Sequence, residues 1–142
     1  MHLFVYGVLI KELARGRAAE LIAPLGPGVA ATTGGTLYGV PGAEGGWYPI
    51  LLADPAGPAV HGVVHEASGV DWVGMDDFED AHDGPDAEYH RRPVPVTLAD
   101  GTTGEAFAYC FAQEVPEGAV PIAHGAFARW LTETGRRAIE AR

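Results

Sequence analysis

Two short strings in this chain could carry chemistry. Phe4-Val5-Tyr6-Gly7-Val8-Leu9 reads as a buried strand running into a glycine turn and then straight into a helix. Such a junction leaves backbone N–H groups unpaired at the helix N-terminus, a seat for a carboxylate or a developing oxyanion. The second string, Met75-Asp76-Asp77-Phe78-Glu79, ends a short helix with a carboxylate in apolar company. The negative end of the helix dipole and partial desolvation beside Phe78, Trp72 and Met75 would raise the pKa of Glu79 toward that of a general base, and Asp76, Asp77 and Asp80 push the same way. Taken alone, each string has a plainer reading. The first is then a strand–turn–helix junction that needs Gly7 for its geometry, and the second a solvated acidic helix end. Together they suggest a small acid–base enzyme.

Other reactive residues carry less. His61 and His65 share a strand face, and His82, Asp83 and Asp86 lie close in a loop. No compact helix-borne His pair with a third ligand accompanies them, so no metal site is expected. Cys110 alternates with Ala108 and Ala112 on a small-residue face and has no evident base, the pattern of an inert buried thiol. No Gly-x-Gly-x-x-Gly or phosphate-loop pattern occurs, so no nucleotide cofactor is expected.

The elements that must position these residues can be read from periodicity. Residues 2–7 form a first strand, and apolar residues from Lys11 to Ile22 recur at helical spacing until Pro24 and Gly26 stop them. Gly35–Val40, Tyr48–Ala53 and Val60–Glu66 read as strands. Ser68-Gly69-Val70-Asp71 matches the Ser-x-x-acid capping pattern and opens a helix through Trp72, Met75 and Phe78, followed by an acidic Gly/Pro loop from Asp80 to Ala87. Strands near Arg91–Leu98 and Glu105–Ala112 flank the hairpin signal Asp100-Gly101. A C-terminal helix from about 124 to 141 carries Phe127, Trp130 and Leu131 on one face. It covers the barrel, gates the pocket or makes an oligomer contact. The predicted fold is α+β: a small mixed, curved or barrel-like β-sheet with a few flanking helices, in a single domain over 1–142.

Composition narrows the partners. The formal net charge is −10, and no basic stripe with interleaved aromatics offsets it, so nucleic-acid binding is not expected. No apolar run approaches the length of a bilayer span, and Met1 leads directly into strand-like sequence, so neither membrane association nor a leader is expected. With one cysteine and no disulfide framework, the expected location is cytoplasmic.

The segments, in this order, resemble the γ-glutamylcyclotransferase-like family, also called AIG2-like. Its opening Tyr-Gly-Thr-Leu corresponds to Tyr6-Gly7-Val8-Leu9, and its second element to Gly35-Thr36-Leu37-Tyr38-Gly39-Val40-Pro41-Gly42 followed by Tyr48-Pro49. Val60-His61-Gly62-Val63-Val64-His65-Glu66 is similar to the third element, and Asp76-Asp77-Phe78-Glu79 to an Asp-x-Phe-Glu fourth. Tyr89, Arg91, Val94 and Val96 match Tyr-x-Arg-x-x-Val-x-Val, and Ala106-Phe107-Ala108-Tyr109 has the aromatic pattern of the last strand. The match runs from residue 3 to about 112. Each piece alone is weak; five in order are specific. Val8 replaces the family's Thr, keeping shape and losing a hydroxyl donor, and Asp80 stands where Gly often follows the glutamate.

The resemblance implies a cofactor-independent enzyme that cyclises a γ-glutamyl group to 5-oxoproline and releases an amine, with a small γ-glutamyl compound as its substrate. It makes Glu79 the catalytic acid–base and places the backbone of Tyr6, Gly7, Val8 and Leu9 around the substrate. Tyr109 shares a strand face with Phe107 and Phe111 and is either a substrate contact or a core aromatic. Tyr89 and Arg91 shape or close the pocket, unless Arg91 serves only to neutralise the acidic loop before it. The competing reading is a non-catalytic small-ligand-binding or interaction module on the same scaffold; Val8 favours it and Glu79 opposes it.

Overall fold

Leu3 and Val5 face one way along the first strand and Phe4 and Tyr6 the other, and all four are buried. A strand apolar on both faces must lie in the middle of a sheet covered on both sides. The computed structural model, which describes residues 1–7, 16–42 and 45–139, places it there. The elements run β1 (His2–Val5), α1 (Gly16–Ile22), β2 (Gly28–Pro41), β3 (Trp47–Ala53), β4 (Ala59–Glu66), α2 (Trp72–Phe78), β5 (Tyr89–Leu98), β6 (Thr103–Phe111), β7 (Val120–Pro121) and α3 (Phe127–Thr134). β1 lies between β4, antiparallel, and β6, parallel, so the sheet is mixed.

The sheet order is β3-β2-β4-β1-β6-β5, and β2 also touches β5, which curls the sheet back on itself. The curved sheet with flanking helices is the expected architecture. Phe4 and Tyr6 pack with Leu37, Leu51, Val94 and Val96 and with Phe127, Trp130 and Leu131 of α3. Leu3 and Val5 pack on the other face with Ala18, Leu21 and Ile22 of α1, Met75 of α2 and Tyr109.

β2 is longer than the sequence pattern suggests, beginning at Gly28 rather than Gly35. Its first half pairs with β4 and its second half with β3, and it changes partner at Gly34-Gly35. A Cβ at Gly34 would lie 2.5 Å from the Asp54 carbonyl oxygen, and one at Gly35 2.6 Å from that of Leu52, so only glycine permits the exchange.

Two helix ends differ from expectation. The cap of α2 is Asp71 rather than Ser68: its side chain accepts from the Gly74 N–H at 3.0 Å. α3 spans Phe127–Thr134, well short of 124–141, because Gly135 takes φ +67 and turns its N–H back to Leu131 and Thr132. The chain beyond it runs alongside β3, with the Trp47 N–H donating to Arg137 O and the Ile139 N–H to Trp47 O.

Candidate active site

Glu79 is the residue at which α2 ends. Its N–H closes the last turn on Met75 O at 3.0 Å, and Asp80 then adopts φ +50, the left-handed conformation that glycine prefers. Asparagine and aspartate tolerate it best among residues with side chains, which accommodates Asp80 at a position where the family often has glycine. The turn is closed across the loop: the Glu88 N–H donates to both Asp80 O at 3.1 Å and Asp80 Oδ2 at 3.3 Å. The acidic loop therefore starts and finishes at one point, bringing Glu79 and Glu88 together.

Glu79 interacts electrostatically with Tyr6, Tyr89, Tyr109 and Glu88. The residue as a whole is half-buried, but its carboxyl group is desolvated; burial first, then the neighbouring Glu88 charge, pushes its pKa up to about 8. Asp76, Asp77 and Asp80 are not the source of that shift, contrary to expectation. Glu88, which the sequence reading passed over, is half-buried; desolvation and Asp80 raise its own pKa. Nothing local marks it beyond its place just before Tyr89.

Four tyrosines share this field. The buried Tyr6 hydroxyl donates to Tyr109 O, and its pKa is raised by burial and then by Glu79. The Tyr89 hydroxyl donates to Pro49 O at 3.1 Å and is raised by burial, Tyr6, Glu79 and Glu88. Burial and Glu88 raise Tyr48. The Tyr109 hydroxyl donates to Asp76 Oδ1 at 2.8 Å; burial, that hydrogen bond and Glu79 all raise it. Beside Tyr6, Gly7 presses on Pro49 so closely that a Cβ would stand 2.0 Å from Pro49 Cγ.

Arg91 sits one layer back. Its Nε and Nη2 reach Asp76 Oδ1 and Oδ2 at 2.9 and 3.2 Å, and its guanidinium lies 4.5 Å from the centroid of Trp72 and 5.1 Å from that of Phe107. Asp76 thus joins α2 to β5 through Arg91 and to β6 through Tyr109, one helical turn before Glu79. The hydroxyl of Tyr109 and the charge of Arg91 are both committed to that carboxylate. Of the sequence-predicted residues, Tyr6, Gly7, Glu79, Tyr89 and Tyr109 converge, Arg91 braces them, and Val8 and Leu9 lie outside the described residues. Cys110 is a buried thiol pushed up to about 11 by desolvation, and no group among the described residues gathers three side chains able to hold a metal.

A model of the family described as gamma-glutamyl cyclotransferase, AIG2-like, matches residues 3–129. Among solved structures, an AIG2-like protein from Mus musculus superimposes with a TM-score of 0.71 at 22% identity, covering 99% of this chain and 97% of that one. A protein described as a gamma-glutamyl cyclotransferase gives 0.63 at 19% identity, covering 85% of this chain and 70% of that one. YkqA from Bacillus subtilis gives 0.64 at 22% identity, covering 94% of this chain but only 42% of its own. At these identities the structural likeness is one of fold. A comparison with curated proteins gives no match.

Proposed function

The chain belongs to the AIG2-like gamma-glutamyl cyclotransferase family, and from that premise we propose that it cyclises the γ-glutamyl group of a small γ-glutamyl amine or related conjugate to 5-oxoproline, releasing the amine. The observation that carries this reading is the Glu79 carboxyl, desolvated beside Glu88 with its pKa at about 8. A carboxylate of ordinary acidity is a poor acceptor for an ammonium proton; one this basic approaches the proton affinity of an amine.

The reaction balances without a cofactor. Glu79, ionised, takes a proton from the substrate's α-ammonium; the freed amine attacks the γ-carbonyl carbon and a C–N bond closes the five-membered ring. The family resemblance assigns the substrate's α-carboxylate or the developing oxyanion to backbone N–H groups of the Tyr6–Leu9 segment, of which Tyr6 and Gly7 lie among the described residues. Glu79 then returns its proton to the leaving nitrogen as the original amide C–N bond breaks; the ring nitrogen gives up its second proton to the freed carboxylate, from which the released amine takes it, and no water is consumed. Because the nucleophile and electrophile belong to one molecule, the main task of the site is to fold the substrate so that they meet.

The test is 5-oxoproline release, followed by mass spectrometry, from a panel of γ-glutamyl amines and dipeptides. Release by the wild type and its loss in a folded Glu79→Gln protein is the expected result. Substantial turnover by Glu79→Gln would defeat the assignment of the base. Saturable binding of panel members without any release would favour the non-catalytic module, the reading that the missing hydroxyl at Val8 supports.

A further inference from the structure

The acidic loop between α2 and β5 must be held where it returns, and the backbone does part of this. β5 and β6 pair as far as Tyr89–Phe111, and the Ala112 N–H continues the ladder by donating to Glu88 O at 2.9 Å. There the chain leaves the strand, and the side chain of Gln113 takes over. Its Nε2 donates to Ala87 O at 2.7 Å and to Pro85 O at 2.9 Å. Both partners are carbonyls, which only accept, so the amide nitrogen faces them and both of its hydrogens are used.

The other fastenings of the loop do a different job. Asp80 ties its two ends to each other through the Glu88 N–H, but not to β6. Asp83 approaches Arg92 of β5 at 3.8 Å, yet that carboxylate is fully exposed and the pair holds weakly. Among the described residues, Gln113 makes the only side-chain hydrogen bonds between the loop and the chain leaving β6. Ala87 is buried, and a carbonyl at such a point is costly to leave unpaired.

We propose that Gln113 is a positioning residue for the Glu79 site: by fastening the returning limb of the acidic loop to the end of β6, it keeps Glu88 beside Glu79. The catalytic meaning of this brace rests on the base proposed above; the brace itself does not. The groups that interact electrostatically with Glu79 are Glu88 at the loop's end, Tyr6 past β1, Tyr89 on β5 and Tyr109 on β6. Asp80 bears on Glu88 in turn, and Glu88 on Tyr48. The hydroxyls of Tyr6, Tyr89 and Tyr109 are each fixed by a bond of their own. Glu88 is therefore the member of this group whose place depends on the loop. Gln113 hydrogen-bonds none of these groups and acts through the loop alone.

The test is titration of the Glu79 carboxyl in the free full-length protein by carbon-13 NMR, assigned with Glu79→Gln; it needs no turnover. Gln113→Met keeps the length of the side chain and removes both donors, and the residue is exposed, so the variant should fold. Its Glu79 midpoint should fall from about 8 by roughly 0.3–1 unit, and by no more than Glu88→Gln lowers it. Exchange of the Ala112 amide should quicken about tenfold while the inner β5–β6 ladder is unchanged. In a Glu88→Gln background, Gln113→Met should leave the Glu79 midpoint where Glu88→Gln alone puts it. If the protein releases 5-oxoproline, the kcat/KM profile should follow the same shifts; if it does not, the titration still decides the brace. A Glu79 midpoint unmoved by Gln113→Met, or moved equally in the Glu88→Gln background, would overturn the proposal.

Discussion

Glu79 carries opposite consequences for activity and stability across one pH window. Its unfolded carboxyl titrates near 4.5 and its folded one near 8. Between those values the folded protein holds a proton that the unfolded chain has released, so this group's contribution to stability falls as pH rises. The ionised form that the proposed reaction needs grows over the same interval, and at pH 7 only about a tenth of Glu79 is ionised. kcat/KM should therefore climb roughly tenfold per unit up to pH 8 and then level, while the thermal midpoint declines over the same range. Glu88→Gln removes the second cause of the shift and leaves the first, burial, in place. It should move the midpoint of the activity profile to lower pH by a fraction of a unit up to about one unit. An unmoved midpoint in a folded Glu88→Gln protein would mean that Glu88 does not act on Glu79.

At the scale of elements, α2 is seven residues long and could not persist alone in water. It is held by the Asp71 cap, by the buried Met75, and by Asp76, whose carboxylate takes the Arg91 fork and the Tyr109 hydroxyl together. Asp76 and Arg91 are each about a quarter exposed, so solvent screens the pair only in part. Asp76→Asn should lower stability by about 1–3 kcal/mol in a urea melt. It should also reduce kcat roughly tenfold with little change in KM, because it shifts the base at the end of the helix more than it alters substrate contacts. Arg91→Lys should lower stability as well, lacking both the bidentate fork and the stacking between Trp72 and Phe107. An Asp76→Asn protein with wild-type kinetics would show that α2 needs no brace. The sequence made α2 legible, and with it Glu79, because a helical apolar pattern ends on an acidic residue there. It did not make Glu88 legible: the two carboxylates meet only because Asp80 turns left-handed and the loop returns to it, which no spacing announces. The first half of β2 is equally silent, since Gly28, Ala30 and Ala31 around Val29 carry little strand preference and extend through pairing with β4. The early end of α3 could have been read from Gly135, but apolar residues continue beyond it at helical spacing and masked the stop.

For the molecule as a whole, the incomplete closure of the sheet explains why the site is so rich in tyrosine. β3 is the edge strand, and along part of its length it faces β6 and β5 without a ladder. Two phenols bridge the gap. Tyr6, leaving β1, donates to Tyr109 O on β6 and meets the backbone of Leu51 on β3, while Tyr89 on β5 donates to Pro49 O on β3. These bridges give otherwise unpaired backbone groups a partner, and both phenols also interact electrostatically with the Glu79 carboxyl. Under the proposed reaction, the side chains that close the fold also surround the base. Tyr6→Phe keeps the ring and removes the bridge, leaving a buried carbonyl at Tyr109 unpaired. It should lower stability by about 1–3 kcal/mol and accelerate hydrogen exchange at the Leu51 amide, while exchange in the β5–β6 ladder away from the seam follows only the global loss. If the loosened seam admits water, the activity profile should move to lower pH as Glu79 is resolvated. Faster exchange at Leu51 with an unmoved profile would separate the two roles and assign Tyr6 to closure alone.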